Sequence, residues 1–226
     1  MNLKKLLCLA LALCALLPAA LAETNITALG SATIHAEPNI AIISFGVEAR
    51  GESVAMAQEQ VNGIVAGATD AILSLGIAGE DLVTDYYNFN PEYDYSGELP
   101  QQIGYRAFHN LSVTVRDLAR VNDVLAALSS TGVTQVGNVQ FDLADRHAVY
   151  LAALEQAVKA AREKGEVLAA ASGLTIMQVE DILERDTGDT QIVSDARNMM
   201  KESAGAGLRA DNVSVSASVT VKFEAR

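Results

Sequence analysis

The chain has 226 residues, half of them hydrophobic and only 5% aromatic, with no tryptophan and a formal net charge of −12. Such an acidic balance repels phosphate backbones and anionic membrane surfaces, and no basic stripe offsets it, so no nucleic-acid partner is expected. The length suits one large domain or two small lobes.

In chain order, residues 1–22 read as a cleaved signal peptide. "MNLKK" is a basic start, "LLCLALALCALL" is an apolar run, and Ala20-Leu21-Ala22 supplies the small residues that signal peptidase needs before Glu23. An apolar run of this length rises about 18 Å as a helix, short of the ~30 Å hydrocarbon core, so no stable membrane insertion is expected after its removal. Leu13, before Cys14, stands where lipoprotein processing needs a small residue. Cys8 and Cys14 both leave with the leader, which excludes disulfides and thiolate chemistry from the mature chain. Losing Lys4 and Lys5 leaves 14 basic against 28 acidic residues, a net charge of −14.

Residues 26–50 predict two strands joined at Pro38-Asn39, rich in β-branched side chains. Residues 53–75 switch to helical spacing: Ser53 is the expected N-cap, Ala57, Val61, Ile64, Val65, Ala68, Ile72 and Leu75 form one stripe, and Gly76 stops it. A hairpin with its loop near Ser96-Gly97 follows. Val83, Tyr87, Phe89, Pro91 and Tyr93 are expected on one face of its first strand, and Ile103, Tyr105, Ala107, Leu111, Val113 and Val115 on one face of its second. Asp117 then caps a helix ended by Gly132, and residues 133–143 form a short strand. The longest helix, 146–172, is expected to bury Leu151, Leu154, Val158, Ala161, Gly165 and Leu168. Residues 175–185 return to extended structure, 201–212 read as a loop, and 213–223 alternate without a break as the last strand. The order predicts an α+β fold of two βα-type units, with antiparallel sheets packed against three main helices. Lobes are expected near 24–82 with the C-terminal strands, and 83–185.

Seven of the eleven aromatic residues fall within 86–108. Tyr87, Phe89, Tyr93 and Tyr105 are expected to cover either the helix at Asp117 or the long helix. Tyr86, Tyr95 and Phe108 are expected on the other side, where exposed aromatic groups mark a subunit contact. Tyr86, Tyr95, Tyr105 and Phe108 are therefore the candidate interface or ligand contacts. Two more features point to assembly: the small-residue row Ala157, Ala161, Gly165, Ala169, which suits close approach of a backbone from its own sheet or another chain, and the polar-faced last strand, expected at a sheet edge.

Reactive constellations do not emerge. Glu92, Asp94 and Glu98 with Ser96-Gly97 do not space out as a calcium loop. His35, His109 and His147 lie in separate elements, and His109 reads as a satisfied core imidazole. Met199-Met200 alone makes no copper site, and neither a nucleophile elbow nor a phosphate loop is present. No catalytic, cofactor or metal residues are predicted.

The stretch "PEYDYSGELPQQIGYRAFHNLSVTVRDLARVNDVLAALSSTGVTQVGNVQFDL" resembles the centre of the SIMPL-domain family, through Pro91, Tyr93, Gly104, Tyr105, Ala107, His109-Asn110, Asp117, Leu118, Gly137, Val139 and Phe141. The opening strand pair, the alanine-rich helix and the last strand are similar too, so the resemblance covers about 24–224. Pro38-Asn39 departs from the family's usual Pro-Asp, which a neutral side chain can serve equally well at that turn. The resemblance implies an exported, periplasmic or otherwise secreted envelope protein that self-associates as a homo-oligomer, with no established reaction and a role in envelope maintenance or oxidative stress tolerance. The alternative is an exported binding module with a Tyr-lined small-molecule or peptide pocket between two lobes.

Overall fold

The computed structural model describes residues 24–185 and 211–226. The expected leader, Met199-Met200 and most of the 201–212 loop lie outside the described residues. Within them run β1 (Thr24–Ala36), β2 (Ile40–Gly51), α1 (Val54–Ser74), β3 (Leu82–Asp94), β4 (Gln101–Val115), α2 (Val121–Ser130), β5 (Gln135–Asp142), α3 (Arg146–Ala171), β6 (Ile176–Arg185) and β7 (Val213–Ala225). The strands form two antiparallel sheets, ordered β1-β7-β6 and β3-β4-β2-β5, giving the expected α+β fold.

Local chemistry sets the boundaries. The Ser53 hydroxyl accepts a bond from the Met56 amide and starts α1. Asp117 caps the short 3-10 turn Leu118–Arg120 through the Ala119 amide, one step ahead of α2 itself. Asp145 accepts from the Ala148 amide at the start of α3. Gly76, Gly132 and Gly173 follow the three helices with φ of 76°, 83° and 72°, a region that disfavours any residue with a Cβ. The Asn39 side-chain oxygen accepts from the Ala144 amide at 2.8 Å, so it ties the first turn to the chain entering α3. That task needs an acceptor and no charge.

Two compact units are present. One gathers 33–152 and 211–215, the other 24–32, 153–185 and 216–226. Residues 40–82 therefore belong with β3–β5, whereas the expected lobes placed them with the C-terminal strands.

In the larger unit, β4 pairs with β2 on one side and β3 on the other. Ala41, Ile43, Phe45, Leu111, Val113 and Val115 from the sheet meet Ala68 and Ile72 of α1 and Val121, Val124 and Leu128 of α2. Fully burying each valine, leucine, isoleucine or phenylalanine of this set stabilises the fold by roughly 1.5–3 kcal/mol. Farther along the sheet, Val47, Ala49 and Ala107 pack on Ala57 and Val61 of α1, and Tyr87 and Phe89 close over them. The aromatic face thus covers α1, not the helix near Asp117 or α3. Val83 does not join that face. A bulge between Thr84 and Tyr86 shifts the register, so Leu82 and Thr84 oppose the inward Val113 and Leu111 while Val83 turns out opposite Ser112.

In the smaller unit, α3 buries Ala153, Ala157, Ala161, Gly165 and Ala169, one residue per turn. The Leu151 and Leu168 expected in that seam are about half exposed. The reason is the closeness of the backbones: a Cβ on Gly30 of β1 would sit 1.9 Å from the Ala157 carbonyl oxygen, and one on Gly165 would meet the Phe223 ring at 2.6 Å. A leucine ridge does not fit that gap. The sheet's own approach accounts for the small-residue row. β7 lies between β1 and β6 rather than at an edge, which is why Ala217, Val219, Val221 and Phe223 are all buried.

Candidate functional site

The four candidate contacts separate in the structure. Tyr86 and Phe108 share the outer face of the β3-β4-β2-β5 sheet: Tyr86 opposes Asn110, and Phe108 opposes Asn88 and Glu48. The Asn88 amide donates to the Tyr86 hydroxyl oxygen at 2.6 Å and bridges the pair. Tyr105 belongs to the other face, half-buried between Pro91 and Gly51. Tyr95 stands beyond the end of β3, 73% exposed, its ring 6.2 Å from that of Tyr93. Tyr86 and Phe108 therefore share one face, as their alternation predicts, whereas Tyr95 lies past the end of β3 at Asp94, where alternation no longer applies.

Beside Phe108 sits a closed set of charges. Arg106 donates to Glu92 at 2.6 Å and contacts Glu48 at 3.2 Å, while Arg50 lies 3.3 Å from the same Glu92 oxygen. The hydrogen bond to Glu92 raises the Arg106 pKa above its ordinary value and keeps the guanidinium charged. Its carbon lies 5.8 Å from the Phe108 ring centre, a cation–π contact. With two arginines answering two glutamates, the set holds three strands in register and leaves no charge uncompensated.

Other ionisable groups are similarly engaged. Buried Asp81 takes a forked pair of bonds from Arg116, at 2.7 Å at its shortest. Buried Asp142 accepts from the Leu143 amide and from Arg146, both at 2.6 Å. Glu92 is occupied as above, and Asp94 accepts from the Ser96 amide at 2.8 Å, a bond that lowers its pKa and shapes the hairpin loop. His35 bonds to the Ser214 hydroxyl at 2.8 Å, and His147 is exposed at the start of α3. Among the described residues, no group of three His, Asp or Glu side chains is placed to hold a metal ion.

His109 is only half satisfied. Its Nε2 bonds to the Thr84 hydroxyl at 3.0 Å and its ring stacks on Tyr87 at 4.4 Å, but buried Nδ1 has no partner among the described residues. Burial holds the imidazole pKa below its ordinary value. The same desolvation raises the Tyr87 pKa, and that phenol donates to Asn62 of α1 at 3.2 Å.

Sequence reasoning missed a polar hollow around Tyr86, on the outer sheet face between Asp85 and Gln135. The available signal was Gly46 and Gly137 inside strands, where glycine marks a bulge or a close approach.

The SIMPL family model, described as a protein of unknown function (DUF541), matches residues 26–223. The chain is 29% identical over 154 residues to the uncharacterized protein YggE of Edwardsiella ictaluri, covering 68% of this chain and 64% of that one. It is 30% identical over 165 residues to the 26 kDa periplasmic immunogenic protein of Brucella melitensis, covering 71% and 66%. To YggE of Escherichia coli K12 it is 27% identical over 143 residues, covering 62% and 58%. The match thus spans about three fifths to two thirds of these relatives' own length. With the family model running from the first strand to the last, the chain belongs to the SIMPL family.

Proposed function

We propose that this chain is an exported, non-enzymatic protein of the bacterial envelope that acts by self-association, in envelope maintenance or oxidative stress tolerance. The observation carrying this reading is the outer end of the β3–β4 hairpin. β4 pairs with β2 only as far as Tyr105 opposite Gly51, whereas β3 and β4 continue together to Asp94 opposite Gln101. The extension bears Tyr95, Leu99 and Ile103 at 73%, 76% and 59% exposure, apolar area that folding of the chain leaves in water. Two further points support the reading. The Brucella relatives are named as periplasmic, and no helix among the described residues is long and apolar enough to cross a membrane. The buried carboxylates and the charges around Phe108 are engaged in structural pairs, with none of them poised as a reactive group.

Size-exclusion chromatography with light scattering tests the assembly. The chain lacking residues 1–22 is expected to exceed monomer mass at micromolar concentration, and the double variant Tyr95→Ala, Leu99→Ser to return to monomer with unchanged melting. A wild-type monomer would refute it. In a deletion strain, peroxide sensitivity is expected to be rescued by the wild type and not by the double variant; equal rescue would detach the role from assembly.

A further inference from the structure

We propose that the hollow on the outer face of the β3-β4-β2-β5 sheet binds a neutral sugar ring, a function beyond self-association. The hollow encloses about 260 Å³, just under the ~300–1,000 Å³ typical of pockets for drug-sized ligands, so it takes one ring rather than an extended chain. Its floor is cut by glycine. Gly46 of β2 and Gly137 of β5 carry no side chain there, and the Asn110 amide lies across Gly46, where a Cβ would sit 2.6 Å from its oxygen.

Two independent irregularities converge on this place. The bulge of β3 turns both Asp85 and Tyr86 to the outer side, and the β2–β5 pairing slips between Ile43 and Phe45, beside Gly137. Bulges of this kind re-aim side chains next to binding sites, and here they come from two different strands. The resulting lining matches a pyranose. Tyr86, 47% exposed, offers an aromatic surface for the apolar C–H side of a sugar. Asp85 accepts from Ser112 through one oxygen at 2.9 Å, and its other oxygen remains to receive a hydroxyl. The side chains of Ser44, Asn110 and Gln135 have no hydrogen-bonding partner among the described residues, so they present two amides and a hydroxyl to the hollow. Carboxylate, amide and aromatic groups together serve vicinal hydroxyls, which both donate and accept. No lysine or arginine lines the hollow, so anionic ligands are disfavoured.

Saturation-transfer NMR on the chain lacking residues 1–22 tests this, with N-acetylglucosamine as the probe at about 10 mM, a concentration suited to the millimolar affinity of a shallow site. Transfer to the ring protons is expected for the wild type and unchanged for Val167→Ala, an exposed position on α3 that does not line the hollow. Tyr86→Ala is expected to weaken binding about five- to tenfold, the worth of one aromatic contact. Should that variant melt abnormally, Gln135→Ala, at an exposed strand position, is expected to weaken binding about two- to fivefold through the loss of one hydrogen bond. Glucose 6-phosphate is expected to bind more weakly than glucose. No transfer to the wild type, transfer undiminished in both variants, or preference for the phosphorylated sugar would each overturn the proposal.

Discussion

His109 carries the pH dependence that is readable from single residues. Burial lowers its pKa, so the folded protein binds the proton less readily than the unfolded chain, whose imidazole titrates near 6.5. The associated stability is therefore fully present above about pH 6.5 and is lost as pH falls towards the lowered folded value. His109→Gln, which keeps a polar partner for Thr84, is expected to melt with a shallower fall between pH 7 and pH 5. Because the ring is only half-buried, the difference should be small, about 1–2 °C. Parallel melting curves for the two proteins would show that His109 is not the group responsible. Gly30 is the opposite kind of residue, fixed by space rather than charge. Gly30→Ala drives a methyl group into the Ala157 carbonyl and Ala161, backbone that cannot turn aside, and is expected to cost about 2–3 kcal/mol in chemical denaturation. Gly165→Ala meets the Phe223 ring instead and should cost less. Equal costs would contradict the close helix–strand approach.

Element by element, α3 reverses the usual expectation for an amphipathic helix. Its buried row is alanine and glycine, while Leu168 is half exposed. Enlarging the row should therefore harm stability more than trimming the leucine. Ala161→Leu is expected to destabilise by about 2–3 kcal/mol through overpacking, and Leu168→Ala by less than about 1 kcal/mol. The reverse order in urea unfolding would mean that the leucine side faces the core. Spacing alone did not decide between the two rows, since one recurs every four residues and the other at three and four, both compatible with a helix face, and ordinary hydrophobicity favours leucine. β3 shows the same limit: its alternation was legible, but one inserted residue at Asp85 moved Val83 to the outside. The hairpin, its loop and the cap at Ser53 were legible because each depends on neighbours close in sequence.

For the whole molecule, charge is the long-range term. Identical chains at −12, or −14 when residues 1–22 are absent, repel one another. Assembly through the apolar hairpin end should then tighten with salt, as the Debye length falls from about 30 Å at 0.01 M to about 8 Å at 0.15 M. Light scattering at these two ionic strengths is expected to give the larger mass at the higher one. A mass that drops with salt would indicate contacts made by ion pairs and would count against the hairpin.

The α+β class, the order of the elements, their caps and the SIMPL pattern were determined by the sequence itself, because periodicity and turn chemistry act over a few residues. Tertiary structure alone decided which helix lies under the aromatic face, that β7 is central, that α3 packs through its smallest side chains, and that Asp85, Asn110 and Gln135 surround one hollow. Those outcomes depend on backbones meeting at distances set by residues far apart in the chain, such as Gly30 with Ala157, and no local pattern encodes such a meeting.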